Sequence, residues 1–268
     1  MKKAMILGIA SGLGSLLADH LSGKGWSVYG SARNPEFAAE KLDKIPFEKI
    51  IKLDFTEPQT FDEFENNIRS LKVKFDCLVV APGTMLPIGN FAEIEESEWL
   101  QGIQVNFTSP VLAARRLFKF MNQGDFAPLV LFFSGGGNHN APVNFSSYIS
   151  SKIALIKMVE LLDAEIENLK FCVVGPGWMD SDIHQETLLN CEKAPDAYLE
   201  TKRRYAENDF VAPDKLLAFF DWALSTEKEI IGGRNFSSAH DQLDNHALCQ
   251  ALSECKDLFK LRRFGNNL

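Results

Sequence analysis

The chain has 268 residues, of which 46% are hydrophobic and 24% are charged, as in ordinary globular proteins. Its formal net charge of -8 argues against a general nucleic-acid-binding protein, which usually has a basic surface. No apolar run approaches the roughly 18 residues that span a membrane, and the five cysteines lack metal-ligand spacing. We therefore expect a cytoplasmic protein with reduced thiols, no metal site, and neither a membrane nor a nucleic acid as partner.

Short apolar stretches alternate with helical patterns along the chain. Strand-like stretches cover 4–9, 26–32, 50–54, 77–81, 129–133, 171–174 and 230–236. The main helical patterns cover 13–24, 61–71, 98–121 and 146–169. Strands that are apolar on both faces are typical of parallel sheets covered by helices. The pattern predicts an α/β fold, with a doubly wound parallel sheet of about seven strands and helices on both faces, in one domain over 1–244.

A glycine-rich turn separates the first strand from the first helix. Gly8, Gly12 and Gly14 form a Gly-x-x-x-Gly-x-Gly motif that includes Ser11 and Leu13. A doubly wound sheet binds a dinucleotide pyrophosphate at this turn, because glycines allow close approach and the helix N-terminus stabilises negative charge. The turn therefore predicts a dinucleotide cofactor, and a tight turn that binds nothing is the alternative.

Residues that end the second and third strands bear on the choice of cofactor. Enzymes selective for NAD carry an acid after the second strand, whereas this chain has Ala32 followed by Arg33. An arginine can bind the 2′-phosphate of NADP through two hydrogen bonds, so we predict NADP(H) rather than NAD(H). Asp54 follows the third strand, where it can accept a hydrogen bond from the adenine amino group or cap a local turn.

Tyr148 and Lys152 are four residues apart in a predicted helix, which places their side chains on one face. An ammonium about 4 Å from a phenol oxygen favours the phenolate by about 4 kcal/mol at an effective dielectric of about 20. That energy corresponds to a tyrosine pKa about three below its ordinary value near 10. The pair therefore predicts an acid/base catalyst, although the spacing alone also fits a solvated helix face.

Together these motifs resemble those of the short-chain dehydrogenases/reductases. The glycine turn is followed by Asn106, Ser134, Tyr148 and Lys152 in the family's order, over about residues 3–240. The resemblance implies a Rossmann-type sheet, a nicotinamide cofactor and a small carbonyl or alcohol substrate. It also implies an oxidoreductase that forms a homodimer or homotetramer.

The resemblance also implies a role for each site residue. Tyr148 exchanges a proton with the substrate carbonyl, and Lys152 lowers the tyrosine pKa and binds the nicotinamide ribose. Ser134 polarises the carbonyl, and Asn106 holds a water that relays protons to Lys152. Cofactor contacts are implied for Gly8, Ser11, Gly12, Leu13, Gly14, Arg33, Asp54, Ala81, Gly83, Asn106, Tyr148, Lys152, Pro176, Gly177 and Ser181.

Several positions depart from the family pattern. Leu7 replaces a threonine, and Val80-Ala81-Pro82-Gly83 replaces Asn-Asn-Ala-Gly after the fourth strand. Ser134 lies one residue further from Tyr148 than is usual, and the usual spacing selects Gly135 instead. We assign the catalytic serine to Ser134 because it is the only hydroxyl at the strand end. The departures keep open an alternative function, a dinucleotide-binding regulatory or scaffold protein without catalysis.

The segment 178–210 corresponds to the family's substrate loop. It contains His184 and the basic run Lys202-Arg203-Arg204. That run fits an anionic substrate, but a basic run on a helix more often faces solvent. His139, in the loop after Ser134, is a further residue that can border the substrate.

Apolar residues at helical spacing mark the C-terminal tail, 245–268. Leu248, Leu252, Cys255 and Phe259 recur about once per helical turn. The spacing predicts an amphipathic helix over 245–264 that packs on the body or on a neighbouring subunit.

Overall fold

Seven parallel strands form one sheet in the residues that the structure describes, 1–124, 126–136, 140–243 and 245–263. In this computed structural model the strands are β1 (Lys3–Leu7), β2 (Ser27–Ala32), β3 (Lys49–Lys52), β4 (Cys77–Val80), β5 (Leu129–Phe133), β6 (Lys170–Gly175) and β7 (Arg234–Ser237). Their order is β3-β2-β1-β4-β5-β6-β7, so the winding reverses beside β1. In such sheets ligands bind at the carboxyl ends of the strands where the order reverses.

Helices connect the strands and cover both faces of the sheet. They are α1 (Gly12–Gly23), α2 (Pro35–Lys41), α3 (Thr60–Leu71), α4 (Glu96–Ile103), α5 (Ser109–Leu117), α6 (Ser146–Glu165), α7 (Ile183–Leu189), α8 (Pro195–Glu207), α9 (Pro213–Ser225), α10 (Lys228–Ile231) and α11 (His246–Glu254). A π-helical turn, Gln104–Thr108, joins α4 to α5, and a 3-10 turn, Phe118–Phe120, follows α5. Within the described residues no helix is long and apolar enough to cross a lipid bilayer.

Alternate residues of each strand enter different cores, one on each face of the sheet. In β1, Ala4 and Ile6 join the core that includes α1 and α9, whereas Met5 and Leu7 join the core that includes α3, α5 and α6. All four side chains are fully buried. A strand buried on both faces must be apolar throughout, and this confirms the predicted fold class.

Two predicted elements before the C-terminal tail differ from the observed ones. The predicted strand 230–236 is instead the short helix α10 followed by β7. Lys228 Nζ donates to the carbonyl oxygens of Asp163 at 2.9 Å and Ile166 at 2.7 Å, which draws this segment against the end of α6. The predicted helix 98–121 is interrupted by the π-helical turn.

The C-terminal segment packs on the body through Arg234. This fully buried guanidinium donates to the carbonyl oxygens of Leu252 at 2.6 Å, Cys255 at 3.2 Å and Leu258 at 3.0 Å. Because these bonds take up carbonyls at the end of α11, the helix stops at Glu254, earlier than predicted. The predicted residue 264 lies outside the described residues, and the division into domains stays a prediction.

Candidate functional site

The turn between β1 and α1 requires glycine at two positions. Gly8 has a φ of +75°, and a Cβ on Gly14 would lie 2.2 Å from the Gly8 carbonyl oxygen. Ser11 caps α1 by accepting a hydrogen bond from the Gly14 N–H at 3.0 Å. Its hydroxyl also donates to the Ala81 carbonyl at 3.3 Å, which fixes the turn to the end of β4.

The first turn of α1 forms a cradle that fits a pyrophosphate. It contains no acidic residue, and its N–H groups and helix dipole favour an anion. A Cβ on Gly12 would lie 3.1 Å from the Ser181 Cβ, so Ser181 stands beside this turn. Leu13 is partly buried and packs against the core under α1. The glycines therefore suit a phosphate-binding turn as predicted, and their cofactor contacts stay predictions.

The end of β2 lies next to this turn, and the end of β3 lies beside the end of β2. Ala32 is buried, Arg33 is exposed, and Asn34 caps α2 by accepting from the Phe37 N–H at 3.0 Å. Asp54 Oδ1 accepts from the N–H and the hydroxyl of Thr56, at 2.9 and 2.7 Å, so its carboxylate closes a local turn. The turn cap is observed for Asp54, and its adenine contact stays a prediction.

Residues 81–83 run between the phosphate turn and the predicted catalytic pair. The Ala81 N–H donates to the Leu7 carbonyl at 3.0 Å. A Cβ on Gly83 would lie 3.5 Å from Asn106 Oδ1 and 3.6 Å from Lys152 Nζ. Gly83 therefore brings the backbone after β4 directly against both side chains.

Asn106 lies in the π-helical turn and is almost fully buried. Its Oδ1 accepts from the Thr84 N–H at 3.0 Å, and its Nδ2 donates to the carbonyls of Thr84 and Gly102, both at 2.9 Å. The side chain thus holds both backbone polar groups of Thr84. π-Helical turns often occur at functional sites, because the extra residue redirects a side chain. The predicted water relay stays a prediction.

Tyr148 and Lys152 share one face of α6, as predicted. Lys152 is 4% exposed, and its Nζ lies 5.6 Å from the Tyr148 ring centre and donates to the Phe133 carbonyl at 3.2 Å. Burial lowers the pKa of Lys152 to about 8. Burial, followed by the charge on Glu186, raises the pKa of half-buried Tyr148 to about 12. The tyrosine pKa therefore moves opposite to the prediction, because burial and the Glu186 charge both oppose ionisation of the phenol.

Position 135 and the Ser134 side chain have different neighbours at the end of β5. A Cβ on Gly135 would lie 2.6 Å from the Tyr148 hydroxyl oxygen, so position 135 faces the phenol. Ser134 Oγ instead donates to Asn235 Oδ1 on β7 at 3.0 Å. The residue that faces the phenol therefore has no side-chain hydroxyl, and the catalytic role of Ser134 stays a prediction.

The segment after β6 approaches the phosphate turn. Pro176 is partly buried, and Gly177 has a φ of +75°, with its Cβ position 2.7 Å from Val211 Cγ2. Only glycine fits this turn without strain. Ser181 then reaches Gly12, and its predicted contact with the nicotinamide carboxamide stays a prediction.

The basic run on α8 is paired with acids on the protein surface. Arg203 binds Glu200 and Asp209 at 2.8 and 3.0 Å, and Arg204 Nε binds Glu200 at 2.7 Å. The Arg204 guanidinium also lies 4.9 Å from the Trp178 ring centre. These pairs favour a solvated helix face over a binding site for an anionic substrate.

His184 does not form a charged site with those arginines. Its ring stacks on Trp178 with 3.7 Å between the ring centres, and burial lowers its pKa to about 4, so it is neutral near pH 7. His139 lies outside the described residues. Within those residues no cluster of three or more His, Cys, Asp or Glu side chains could hold a metal ion.

Glu186 and Thr84 were not predicted from the sequence, and Thr84 binds the Asn106 side chain. Glu186 Oε1 and Oε2 accept from the Thr84 hydroxyl at 2.8 and 3.0 Å, and Oε2 accepts from the Met85 N–H at 2.5 Å. Burial raises the pKa of the Glu186 carboxyl. A lone glutamate on a surface helix carries no sequence signal, since its partners are about a hundred residues away.

The family model described as "short chain dehydrogenase" matches residues 2–191. The chain belongs to the short-chain dehydrogenase family. Members of this family are NAD(P)-dependent oxidoreductases, so the coarse activity and the cofactor class predicted from the sequence are confirmed.

Two relatives of this short-chain dehydrogenase are each 25% identical to it over the aligned residues. Short chain dehydrogenase pigC of Monascus ruber is 25% identical over 243 residues, covering 89% of this chain and 75% of the relative. The 2,3-dihydro-2,3-dihydroxybenzoate dehydrogenase of Bacillus subtilis is 25% identical over 189 residues, covering 68% and 71%. The crystal structure of the KRED1-Pglu enzyme superposes with a TM-score of 0.75 at 23% identity, covering 88% of this chain and all of that one. This superposition confirms the fold.

Proposed function

We propose that this short-chain dehydrogenase interconverts a ketone or aldehyde and the corresponding alcohol, with Tyr148 exchanging the proton. The observation that carries the proposal is the pair of Tyr148 and buried Lys152 beside Gly83 and Asn106, at the carboxyl edge of the sheet. A bound nicotinamide cofactor supplies or accepts the hydride. The side chains of the protein orient the substrate and move the proton.

Tyr148 suits the role of proton donor in the direction of reduction. Its raised pKa, about 12, keeps the phenol protonated at neutral pH. An alkoxide that develops on the substrate is a stronger base than a phenolate and takes the proton. The nearby Lys152 ammonium then stabilises the phenolate that remains. We therefore propose carbonyl reduction as the favoured direction.

We propose NADP(H) as the cofactor, held by the glycine turn and Arg33. The turn fits a pyrophosphate, and exposed Arg33 follows buried Ala32, where an NAD-selective enzyme has an acid. Arg33→Ala should weaken NADPH binding about tenfold or more and leave NADH binding unchanged. Arg69→Ala, at an exposed arginine on α3, is the control. Equal binding of both cofactors by the unmodified protein would contradict the NADP preference.

The experiment that tests the catalytic proposal is Tyr148→Phe. Loss of a general acid should lower turnover with a carbonyl panel about a hundredfold or more, with NADPH binding retained. Tyr198→Phe is a matched control, because Tyr198 has the same spacing to Lys202, with Nζ 5.9 Å from its ring on the outer helix α8. Full turnover by Tyr148→Phe would show that another group donates the proton.

A dinucleotide-binding protein without catalysis is the second candidate function. Gly135 favours it, because no side-chain hydroxyl stands at the residue that faces the Tyr148 phenol. This candidate predicts that NADPH binds tightly and is not oxidised by any carbonyl compound. The same panel therefore separates the two functions.

We also propose a homodimer or homotetramer in the cytoplasm, with α4, α5 and α6 as the contact surface. Leu100 and Leu112 on the first two helices are 60% and 48% exposed, and Leu161 on α6 is 46% exposed. A groove of about 800 Å³ lies beside the first two leucines. Exposed leucines along adjacent helices favour an interface between copies, which light scattering would detect.

A further inference from the structure

Glu186 joins helix α7 to the segment that follows β4. Its carboxylate accepts from the Thr84 hydroxyl at 2.8 and 3.0 Å and from the Met85 N–H at 2.5 Å. Hydrogen bonds to a carboxylate are stronger than bonds between neutral groups, particularly where the carboxylate is half-buried as here. A second contact, between Thr187 Oγ1 and the Met85 sulfur at 3.2 Å, joins the same two segments.

Thr84 is bound from two sides. Its hydroxyl donates to Glu186 on α7, while its backbone N–H and carbonyl are both held by the Asn106 side chain, at 3.0 and 2.9 Å. The hydroxyl of Thr84 also accepts from the Leu86 N–H at 3.1 Å. Thr84 therefore connects α7, which lies in the predicted substrate loop, to the buried Asn106 side chain.

Residues at and just before the start of α7 approach both the catalytic pair and the phosphate turn. A Cβ on Gly83 would lie 3.9 Å from Ile183 Cδ1 and 3.6 Å from Lys152 Nζ. Just before Ile183 in the chain, the Ser181 Cβ lies 3.1 Å from the Cβ position of Gly12. A shift of α7 therefore changes the space above the lysine and beside the phosphate turn.

We propose that Glu186 is a positioning residue for the reaction: it holds the substrate segment closed through Thr84, and Thr84 transmits that position to Asn106. The catalytic part of this inference rests on the proposed function. The closed position of α7 does not, because it follows from hydrogen bonds within the chain. An amide at position 186 would keep the size of the side chain but replace one acceptor oxygen with a donor.

Hydrogen–deuterium exchange of residues 183–189 tests the closed position in the full chain without substrate. Glu186→Gln should speed the exchange of these amides about tenfold or more, because charge-assisted bonds hold the helix in place. Asp182→Asn is the matched control, because its 2.8 Å contact with Lys41 joins the same segment to α2 at an exposed position. Exchange in that control should change less than about twofold.

Thr84→Val tests the other end of the connection. It should also speed exchange in 183–189, and the double variant should exchange no faster than Glu186→Gln alone, because Thr84→Val removes only bonds that Glu186→Gln already weakens. Exchange in Glu186→Gln that matches both the unmodified protein and Asp182→Asn would overturn the inference.

Steady-state kinetics test the transmission to Asn106. With a carbonyl substrate found in the panel, Glu186→Gln should lower kcat about tenfold as well as raise KM. Asp62→Asn, at an exposed acid on α3 that pairs with Arg116 at 2.6 Å, should change neither. A rise in KM with kcat unchanged would overturn the transmission step. If the unmodified protein binds NADPH and reduces no carbonyl compound, the proposed function fails, and the exchange experiment still decides whether Glu186 holds the segment.

Discussion

At the scale of single residues, the proposed chemistry depends on the position of the Lys152 ammonium. It lies over the Tyr148 ring and donates to the Phe133 carbonyl. Burial lowers the pKa of Lys152 to about 8, so the ammonium is present at neutral pH and is lost as the pH rises through that value. Tyr148, with a pKa of about 12, keeps its proton throughout this range.

We therefore predict that the rate of carbonyl reduction falls above about pH 8. Below that pH the charged Lys152 stabilises the phenolate as it forms, and above it the neutral amine does not. The measurement is kcat/KM for reduction against pH, at a saturating concentration of cofactor. A profile that stays flat well above pH 8 would show that the Lys152 charge is not needed for proton transfer.

Gly135 gives a second prediction at this scale. A Cβ at position 135 would lie 2.6 Å from the Tyr148 hydroxyl, so Gly135→Ala must displace the phenol. We expect turnover to fall about tenfold or more, because small misplacements of a reacting group are costly. Gly136→Ala is the matched control, because a Cβ there has no neighbour within 4 Å among the described residues. Equal turnover by the two variants would contradict the assigned contact.

The residue scale also shows what the sequence could not predict. Spacing and order identified Tyr148, Lys152 and Asn106 as candidates. In the structure Lys152 lies over the Tyr148 ring and, with Asn106, beside Gly83. The register of Ser134 could not be fixed from the sequence, because two neighbouring candidates differ only in the face to which they point. Glu186 was missed because its role depends on Thr84, which is distant in the sequence.

At the scale of elements, the β1–α1 turn depends on backbone contacts that only glycine permits. A Cβ on Gly14 would lie 2.2 Å from the Gly8 carbonyl oxygen. Gly14→Ala should therefore distort the turn and weaken NADPH binding about tenfold or more. Gly23→Ala, in the same helix with open space around the added Cβ, should leave binding unchanged. Fluorescence titration of NADPH measures both, and equal affinities would contradict a phosphate-binding role for this turn.

Strands and helices were predictable where burial imposes a clear period. The strands of the sheet centre are apolar throughout, and they appeared at the expected places. The segment 230–236 was wrong because Ile230 and Ile231 fit a strand or a helix equally well. Its outcome depended on Lys228, which binds carbonyls at the distant end of α6.

At the scale of the whole molecule, the C-terminal segment is held by one buried cation. Arg234 lies on β7 and satisfies three carbonyls around the end of α11. Leu252 on that helix is fully buried in the core shared with α1 and α9. The amphipathic spacing predicted the packing face, but not the arginine, whose carbonyl partners come from the fold.

We predict that Arg234→Leu lowers the free energy of unfolding by about 3 kcal/mol, because it leaves buried carbonyls without donors. Urea denaturation measures this change. The control is Arg262→Leu, whose partly exposed pairs with Glu160 and Asp257, at 2.7 Å each, should contribute at most about 1 kcal/mol. Equal losses in the two variants would show that the buried cation has no special role.

In the proposed reaction, Tyr148 supplies the proton that accompanies hydride transfer from the nicotinamide to a carbonyl carbon. The most direct test incubates the protein with a carbonyl panel and NADPH deuterated at the reactive nicotinamide carbon, and analyses the products by mass spectrometry. We expect deuterium on the carbinol carbon of at least one alcohol product. Tyr148→Phe should form about a hundredfold less of this labelled alcohol, and Tyr198→Phe should form the normal amount. Bound NADPH with no labelled alcohol from the unmodified protein, or undiminished label from Tyr148→Phe, would contradict the proposed reaction.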